Sequence, residues 1–142
     1  MIRKHKKQDL EQILNVWHHS SSLAHPFLKL EFVEKVKSDM RTIYIPNSDT
    51  WVYEKDAEIV GFISMIGNEI GGLFVIPSKL GKGIGTQLIN FVGENHKDLE
   101  VEVFEKNKIG RAFYKKHGFH LIKEFTHQES GENVIRMRKQ EI

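Results

Sequence analysis

The sequence contains no cysteine, and this excludes several kinds of chemistry at once. A chain without thiols forms no disulfide bond, uses no thiolate nucleophile and builds no cysteine-ligated zinc site. It also lacks an apolar run approaching the roughly 18 residues that a membrane-spanning helix needs. Its basic N-terminus is not followed by an apolar signal core. These absences predict a cytoplasmic protein with no membrane partner.

A strong charge of one sign is lacking as well. The chain carries 21 Lys and Arg against 19 Asp and Glu, for a formal net charge of +2. The lysines are scattered rather than gathered in one stripe, so we expect no nucleic-acid partner. With 39% hydrophobic and 28% charged residues, the composition is that of a globular protein. The length of 142 residues predicts one domain spanning residues 1–142.

The most informative stretch is residues 73–89. Its first residues are apolar and partly β-branched, which predicts a strand. Pro77 ends that strand because proline has no N–H for the ladder. Three glycines follow at every second position of residues 81–85, and an amphipathic helix begins at Ile84. The predicted order is therefore strand, glycine loop and helix.

A glycine loop that precedes a helix is suited to binding an anion such as phosphate. Glycine lets the backbone turn tightly and approach a ligand, and the first N–H groups of a helix have no partner inside it. Lys79 and Lys82 add positive charge. The spacing Gly-x-Gly-x-Gly fits neither the P-loop nor the dinucleotide fingerprint. A glycine turn without a ligand and a nucleotide-phosphate module therefore stay open as alternatives.

The rest of the pattern predicts helices and strands in a mixed order. Two amphipathic helices precede a three-stranded meander that delivers the chain to the glycine loop. The strand after the loop helix is expected to pair in parallel with the strand before the loop, because a helix separates the two. The predicted helices are residues 10–17, 30–45, 84–96 and 107–117, and the predicted strands lie near Ile2 and at residues 50–54, 58–65, 69–76, 99–104, 119–125 and 134–137.

Two adjacent histidines, His18 and His19, stand where the first helix is predicted to end, followed by three serines at residues 20–22. Near a helix C-terminus, histidine is more simply explained as a partner of the helix dipole than as a metal ligand. No second cluster in the sequence offers matching ligands. We therefore predict no metal site.

Two motifs resemble the signatures of the GNAT N-acetyltransferases. Residues 73–77 read Leu-x-Val-x-Pro, and Gly-x-Gly-Ile-Gly follows at residues 81–85 with Leu-Ile at residues 88–89, as in the acetyl-coenzyme A motif of that family. Residues 107–119 are similar to its second signature, Asn-x-x-Ala-x-x-Phe-Tyr-x-x-x-Gly-Phe, in the asparagine, the Phe-Tyr pair and the Gly-Phe pair. The order of helices and strands matches that family along nearly the whole chain.

The resemblance implies a three-layer α+β fold, with a central, mostly antiparallel twisted sheet, one parallel strand pair and about four flanking helices. It implies an acetyl-coenzyme A-dependent N-acetyltransferase, in which a primary amine attacks the thioester directly. The acceptor is then a protein lysine or α-amine, or a small amine. The segments His25-Pro26-Phe27 and Trp51-Val52 are similar to the bacterial YiaC/YjaB-type subgroup, some members of which are described as peptidyl-lysine acetyltransferases.

The resemblance also implies which residues hold acetyl-coenzyme A. Backbone amides of the glycine loop would bind the pyrophosphate, and the pantetheine arm would add to the preceding strand as an extra strand. An amide near the end of that strand would polarise the thioester carbonyl. The implied cofactor-binding residues are Leu73, Phe74, Val75, Lys79, Gly81, Lys82, Gly83, Ile84, Gly85, Thr86 and Asn107.

For catalysis, Tyr114 matches the family tyrosine that protonates the leaving thiolate; its ordinary pKa near 10 keeps it protonated. The structural alternative is an aromatic core residue. His25 and Phe27 lie in the loop that borders the acceptor site in the family, and packing is the alternative role for both. Glu69 and Glu102 are candidate bases by position, with a solvated strand face as the alternative for each.

The sequence departs from the family pattern at two positions. Leu80 replaces the usual Arg or Gln, which normally adds a phosphate contact, and Gly110 replaces Ala. The first departure keeps open a non-catalytic sensor that binds acyl-coenzyme A, although Tyr114 argues for an enzyme. The partner of the enzyme is an amine substrate, and the oligomeric state is either monomer or homodimer.

Overall fold

Seven strands form one sheet in the structure, a computed structural model that describes residues 1–139. In chain order they are β1 (Ile2–Lys4), β2 (Asp49–Lys55), β3 (Glu58–Ile66), β4 (Glu69–Val75), β5 (Glu100–Phe104), β6 (Phe119–Thr126) and β7 (Asn133–Lys139). Across the sheet they lie in the order β1-β2-β3-β4-β5-β7-β6. Only β4 and β5 are parallel, and the other neighbours within this part of the chain are antiparallel. The predicted mixed sheet with one parallel pair is confirmed.

Helices lie on both faces of the sheet. The α-helices are α1 (Leu10–Ala24), α2 (Leu30–Asp39), α3 (Ile84–Gly93) and α4 (Lys108–Lys116). On one face, α1 packs against the side of β3 that carries Phe62. On the other face, α3 and α4 pack against the side that carries Ile63. Because successive strand residues point to opposite faces, β3 supplies both cores and is buried from Ile59 to Met65. The three-layer arrangement is therefore confirmed.

The predicted end of α1 at the histidines and serines is wrong. The helix continues to Ala24, so His18 and His19 lie within it and are not partners of its C-terminal dipole. Ser22 is compatible with the helix because its hydroxyl bonds within it: Oγ donates to the carbonyl of His18 at 2.7 Å. Ser21 lies in this longer helix and His25 directly follows it, and both line the cavity described below.

The second predicted helix, residues 30–45, has two parts. α2 ends at Asp39, and a π-helical turn, Met40–Tyr44, continues it. The wider turn is closed by the N–H of Ile45, which donates to the carbonyl of Met40 at 3.0 Å. The π turn buries Met40 and Ile45 against α1 and β3 and leaves Tyr44 exposed. Such turns are frequent at functional sites, and this one borders the cavity described below.

A bulge in β4 precedes the point at which the sheet opens. The register of β3 and β4 shifts between Ser64, which faces Gly72, and Met65, which faces Ile70. Gly71 is therefore the extra residue, and the glycine pair Gly71-Gly72 suits a bulge because glycine weakens the ladder at that point. No helix of residues 1–139 is both long and apolar enough to cross a membrane.

Candidate functional site

The parallel strands β4 and β5 pair along only part of their length. In the described chain, their paired residues are Glu69 with Glu100 and Ile70 with Val101. β4 nevertheless continues to Val75 and β5 to Phe104. Their C-terminal halves therefore diverge, and the backbone edge of β4 after the bulge is open toward β5. An open strand edge offers main-chain donors and acceptors to a ligand in extended conformation.

The glycine loop lies at the end of this opening. Gly81 and Gly83 adopt φ angles of +76° and +85°, which favour glycine over any residue with a side chain. Gly83 is the N-cap residue of α3, and it has no side chain to bond the first N–H groups of the helix. Those donors and the positive end of the helix dipole are thus left for an anion.

A cavity of about 500 Å³ lies between the diverging strands. Its walls come from α1, α2, β4, the glycine loop, β5 and α4. The predicted site residues that line it are His25, Leu73, Phe74, Val75, Lys79, Gly81, Gly83, Ile84, Gly85, Thr86, Asn107 and Tyr114. Lys82, Phe27 and Glu69 are not among the wall residues. Lys82 is an exposed member of the loop, and Phe27 and Glu69 are half-buried.

Tyr114 reaches the cavity from α4. The residue is only 6% exposed, and its ring meets the edges of Phe113 and Phe119 with centroids 5.3 and 5.2 Å away. Burial raises the pKa of the Tyr114 phenol well above its ordinary value. Within residues 1–139, the hydroxyl makes no hydrogen bond to protein. The phenol is thus a protonated donor available to whatever occupies the cavity.

Asn107 and His25 meet across the cavity although 82 positions separate them in the sequence. The N–H of Gly110 donates to Oδ1 of Asn107 at 2.9 Å, which caps α4. Nδ2 of Asn107 lies 3.1 Å from Nε2 of His25, and Nδ1 of His25 lies 3.0 Å from Oγ of Ser21. Burial lowers the pKa of His25 to about 4.

A second histidine ties α3 to α4. Nδ1 of His117 donates to the carbonyl of Phe113 at 2.8 Å, so Nε2 is left to accept from the hydroxyl of Thr86 at 3.0 Å. Thr86 is one of the predicted cofactor-binding residues, and His117 follows the last residue of α4. Sequence reasoning did not single out His117; the bond joins positions 31 residues apart.

The candidate bases Glu69 and Glu102 share one partner. Arg136 donates to Glu69 at 2.9 Å, to Glu100 at 2.6 Å and to Glu102 at 2.7 Å, across three neighbouring strands. Glu102 lines the cavity, whereas Glu69 does not. The two carboxylates are therefore placed differently with respect to the site, which their strand positions alone do not distinguish.

The cavity wall away from the glycine loop is largely aromatic. Phe104, at the end of β5, meets the ring of His25 at 5.1 Å and that of His127 at 6.1 Å, while Phe32 on α2 meets His127 at 5.8 Å. These three residues were not predicted. Leaving histidines aside, the charged residues of the described wall are Lys79, Glu102 and Lys116. No group of three or more metal-ligating side chains occurs within residues 1–139.

The chain is similar to known proteins in sequence and in structure. Residues 46–121 match the family described as Acetyltransferase (GNAT) domain. Peptidyl-lysine N-acetyltransferase YiaC of Escherichia coli (strain K12) is 34% identical over 123 residues, which are 86% of this chain and 84% of YiaC. Peptidyl-lysine N-acetyltransferase YjaB of the same strain is 30% identical over 120 residues, 83% of this chain and 80% of YjaB.

Solved structures share the fold. The solution structure of apo-form YjaB from Escherichia coli matches with a TM-score of 0.87 at 24% identity, over 97% of this chain and 95% of that one. The PaiA N-acetyltransferase from Thermoplasma acidophilum, crystallised in complex with coenzyme A, matches with a TM-score of 0.80 at 22% identity, over 99% and 98% of the two chains.

The chain belongs to the GNAT family of acetyltransferases. It is an N-acetyltransferase that uses acetyl-coenzyme A, as its sequence motifs predicted. The residues present fit that co-substrate: an open strand edge, a helix N-terminus without a side-chain cap and a cavity of about 500 Å³ lie next to one another.

Proposed function

We propose that the acceptor is the ε-amino group of a lysine in a peptide or protein. The observation that carries the proposal is the aromatic wall that Phe32, Phe104 and His127 form beside a single carboxylate, Glu102. Such a wall suits one alkyl ammonium with its apolar stem, whereas a polyamine needs several carboxylates. The relatives named peptidyl-lysine N-acetyltransferases support the same acceptor.

The glycine loop and β4 then hold the co-substrate in the same proposal. The amides of residues 81–86 bind the pyrophosphate, with Lys79 and Lys82 as nearby positive charges. Leu73 to Val75 offer their free backbone edge to the pantetheine arm, and Asn107 contacts the same molecule from α4. Lys116 also lines the cavity and supplies a cation that partly replaces the one lost at Leu80.

Acetyl-coenzyme A supplies an activated acyl group, and the residues around it manage protons and charge. The amide near Leu73 donates to the carbonyl oxygen as negative charge develops there. Burial raises the pKa of Tyr114, which keeps its phenol protonated at neutral pH. The phenol donates a hydrogen bond to the sulfur as negative charge develops there and gives its proton to the departing thiolate.

The attacking lysine must first lose a proton. With an ordinary pKa of about 10.4, deprotonation at pH 7 costs roughly 4.6 kcal/mol. Of the two acidic candidates, Glu102 is the one on the cavity wall, so we propose that it receives this proton directly or through water. Glu69 keeps a structural role with Arg136. His25, which lines the cavity, and Phe27, whose ring packs against it, support the aromatic wall rather than act on the amine itself.

The test combines a thermal melt with a turnover assay on one sample. Acetyl-coenzyme A at 100 times its dissociation constant stabilises the protein by about 2.7 kcal/mol if it binds only the folded state. Thiol release is then followed with a lysine peptide, the same peptide with its lysine side chain blocked, a peptide whose α-amine is the sole amine, and spermidine.

We expect thiol release with the lysine peptide and none with its blocked form. Faster release with spermidine or with the free α-amine would overturn the acceptor proposed. A melting shift without release for any amine would contradict the roles given to Tyr114 and Glu102.

The cytoplasmic location and the monomeric or homodimeric state are further parts of the proposal. The absence of cysteine supports the cytoplasmic location.

A further inference from the structure

Asn107 makes two hydrogen bonds that fix its orientation. Its Oδ1 accepts from the N–H of Gly110, because a backbone N–H is always a donor. Its Nδ2 must therefore point at His25, 3.1 Å from the Nε2 atom. The amide thus satisfies the first turn of α4 with one end and the imidazole with the other.

This orientation determines the protonation of His25. An amide Nδ2 only donates, so Nε2 of His25 has to accept and carries no proton. The proton of the neutral ring is then on Nδ1, which donates to Oγ of Ser21 at 3.0 Å. A doubly protonated ring would place two donors face to face. The burial of His25 against the rings of Phe27 and Phe104 favours the same neutral form.

Gly110 is adapted to the same arrangement. A Cβ atom at this position would lie 2.5 Å from Nδ2 and 3.0 Å from Cγ of Asn107. The alanine that the second GNAT signature has here would therefore push the Asn107 amide away from its present place. Glycine at position 110 therefore leaves room for the Asn107 amide in the place where it contacts His25.

We propose that His25 is a positioning residue for acetyl transfer. Through its unprotonated Nε2 it holds the Asn107 amide in place, and it thereby fastens the segment after α1 to the N-terminus of α4, the helix that carries Tyr114. The proposal depends on the role in co-substrate binding proposed above for Asn107. It predicts that loss of the acceptor at residue 25 weakens acetyl-coenzyme A binding more than it slows the chemical step.

Substitutions at residue 25 separate this role from simple packing. His25→Gln keeps an acceptor near the position of Nε2, His25→Asn keeps a polar group only near Nδ1, and His25→Leu keeps apolar volume without an acceptor. We expect the KM for acetyl-coenzyme A to stay within about two-fold for H25Q. It should rise about 3- to 10-fold for H25N and H25L, the range that one neutral hydrogen bond gives, with kcat changed less. His19→Gln, on the exposed side of α1, is the matched control.

A packing role predicts a different order, with H25L closest to the natural enzyme. Equal KM values for H25Q and H25N, or H25L as the best of the three, would overturn the proposal. Asn107→Ala separates this failure from that of the proposed site. An unchanged KM in N107A would remove Asn107 from co-substrate binding and the function of His25 with it. A raised KM in N107A without a difference between H25Q and H25N would overturn the role of His25 alone.

Nitrogen NMR of the imidazole rings tests the geometry on the unaltered protein, so the proposal does not depend on the variants folding. Through-bond correlations from the backbone of residue 25 to its ring assign the His25 signals. We expect a single neutral tautomer with the proton on Nδ1. A proton on Nε2, or rapid exchange between tautomers, would refute the hydrogen bond on which the proposal stands.

Discussion

Replacing Tyr114 with phenylalanine is expected to lower activity while leaving stability nearly unchanged. The tyrosine is 6% exposed, but its hydroxyl is not a buried group without a partner: among the described residues, the one buried side-chain atom of that kind is Nε of Arg138. The cavity reaches Tyr114, so water there can hydrogen-bond the hydroxyl. Y114F should therefore change the free energy of unfolding of the free enzyme by less than about 0.5 kcal/mol.

The same substitution removes the only proton donor that we assign to the leaving thiolate. General acid catalysis contributes about 100- to 10,000-fold, and we expect kcat to fall by about 100-fold or more. The phenol acts as charge develops on sulfur, so the KM for acetyl-coenzyme A should change by less than about three-fold. Thiol release measures the activity, and urea unfolding measures the stability.

Tyr53→Phe is the control, because Tyr53 is half-buried on β2 and is not a wall residue of the cavity. It should leave turnover unchanged. Turnover of Y114F within about three-fold of the natural enzyme would refute the acid role, since general acid catalysis is worth at least about 100-fold. A loss of more than about 1 kcal/mol of stability in Y114F would show instead that the hydroxyl has a hydrogen-bond partner in the free enzyme.

Three other substitutions test the glycine loop, the ion pair of Arg3 with Asp9 and the carboxylates around Arg136. Gly83→Ala places a side chain at a φ of +85°, so it should lower the free energy of unfolding by about 1–2 kcal/mol and weaken acetyl-coenzyme A binding. Gly93→Ala, at the end of α3, is the control and should do neither. Thermal melts with and without acetyl-coenzyme A compare the two variants. The Arg3 guanidinium lowers the pKa of Asp9, so Asp9→Asn should destabilise at pH 7, and urea melts should show that difference shrinking as the pH falls below about 4. Arg136→Gln leaves three carboxylates together and should destabilise by about 1 kcal/mol, less at high salt, in the same assay.

Local signals in the sequence were sufficient for most helices and strands and for the conformation of the glycine loop. Pro77, the alternate glycines and the apolar spacing after Ile84 predicted strand, loop and helix because each acts within a few residues of itself. The bulge at Gly71 lies at a pair of glycines, which is a signal of the same local kind. α1 was predicted too short because three consecutive serines favour turns, and the bond from Ser22 back to His18 within the helix is not visible in a propensity.

The sequence did not predict contacts between residues that lie far apart along the chain. His25 meets Asn107 across 82 residues, and Arg136 meets Glu69 across 67. No periodicity encodes such a pair, since each partner satisfies its own local pattern whether or not they meet. Glu69 and Glu102 looked equivalent in the sequence because both face outward from strands, and only the divergence of β4 from β5 brings one of them to the cavity wall.

The divergence of β4 from β5 leaves backbone groups without sheet partners, which destabilises the fold, and the proposed function explains why it is there. Parallel neighbours inside a sheet normally pair along their whole length, because unpaired N–H and C=O groups are expensive to bury. Here only Glu69–Glu100 and Ile70–Val101 pair within the described chain, and the strands then separate. β3 holds one side of β4 from Glu69 to Val75 and β7 holds all of β5, so the sheet survives the opening. The groups left without partners are those that we propose the pantetheine arm binds. A change that lengthened the β4–β5 ladder would therefore stabilise the sheet and close the site.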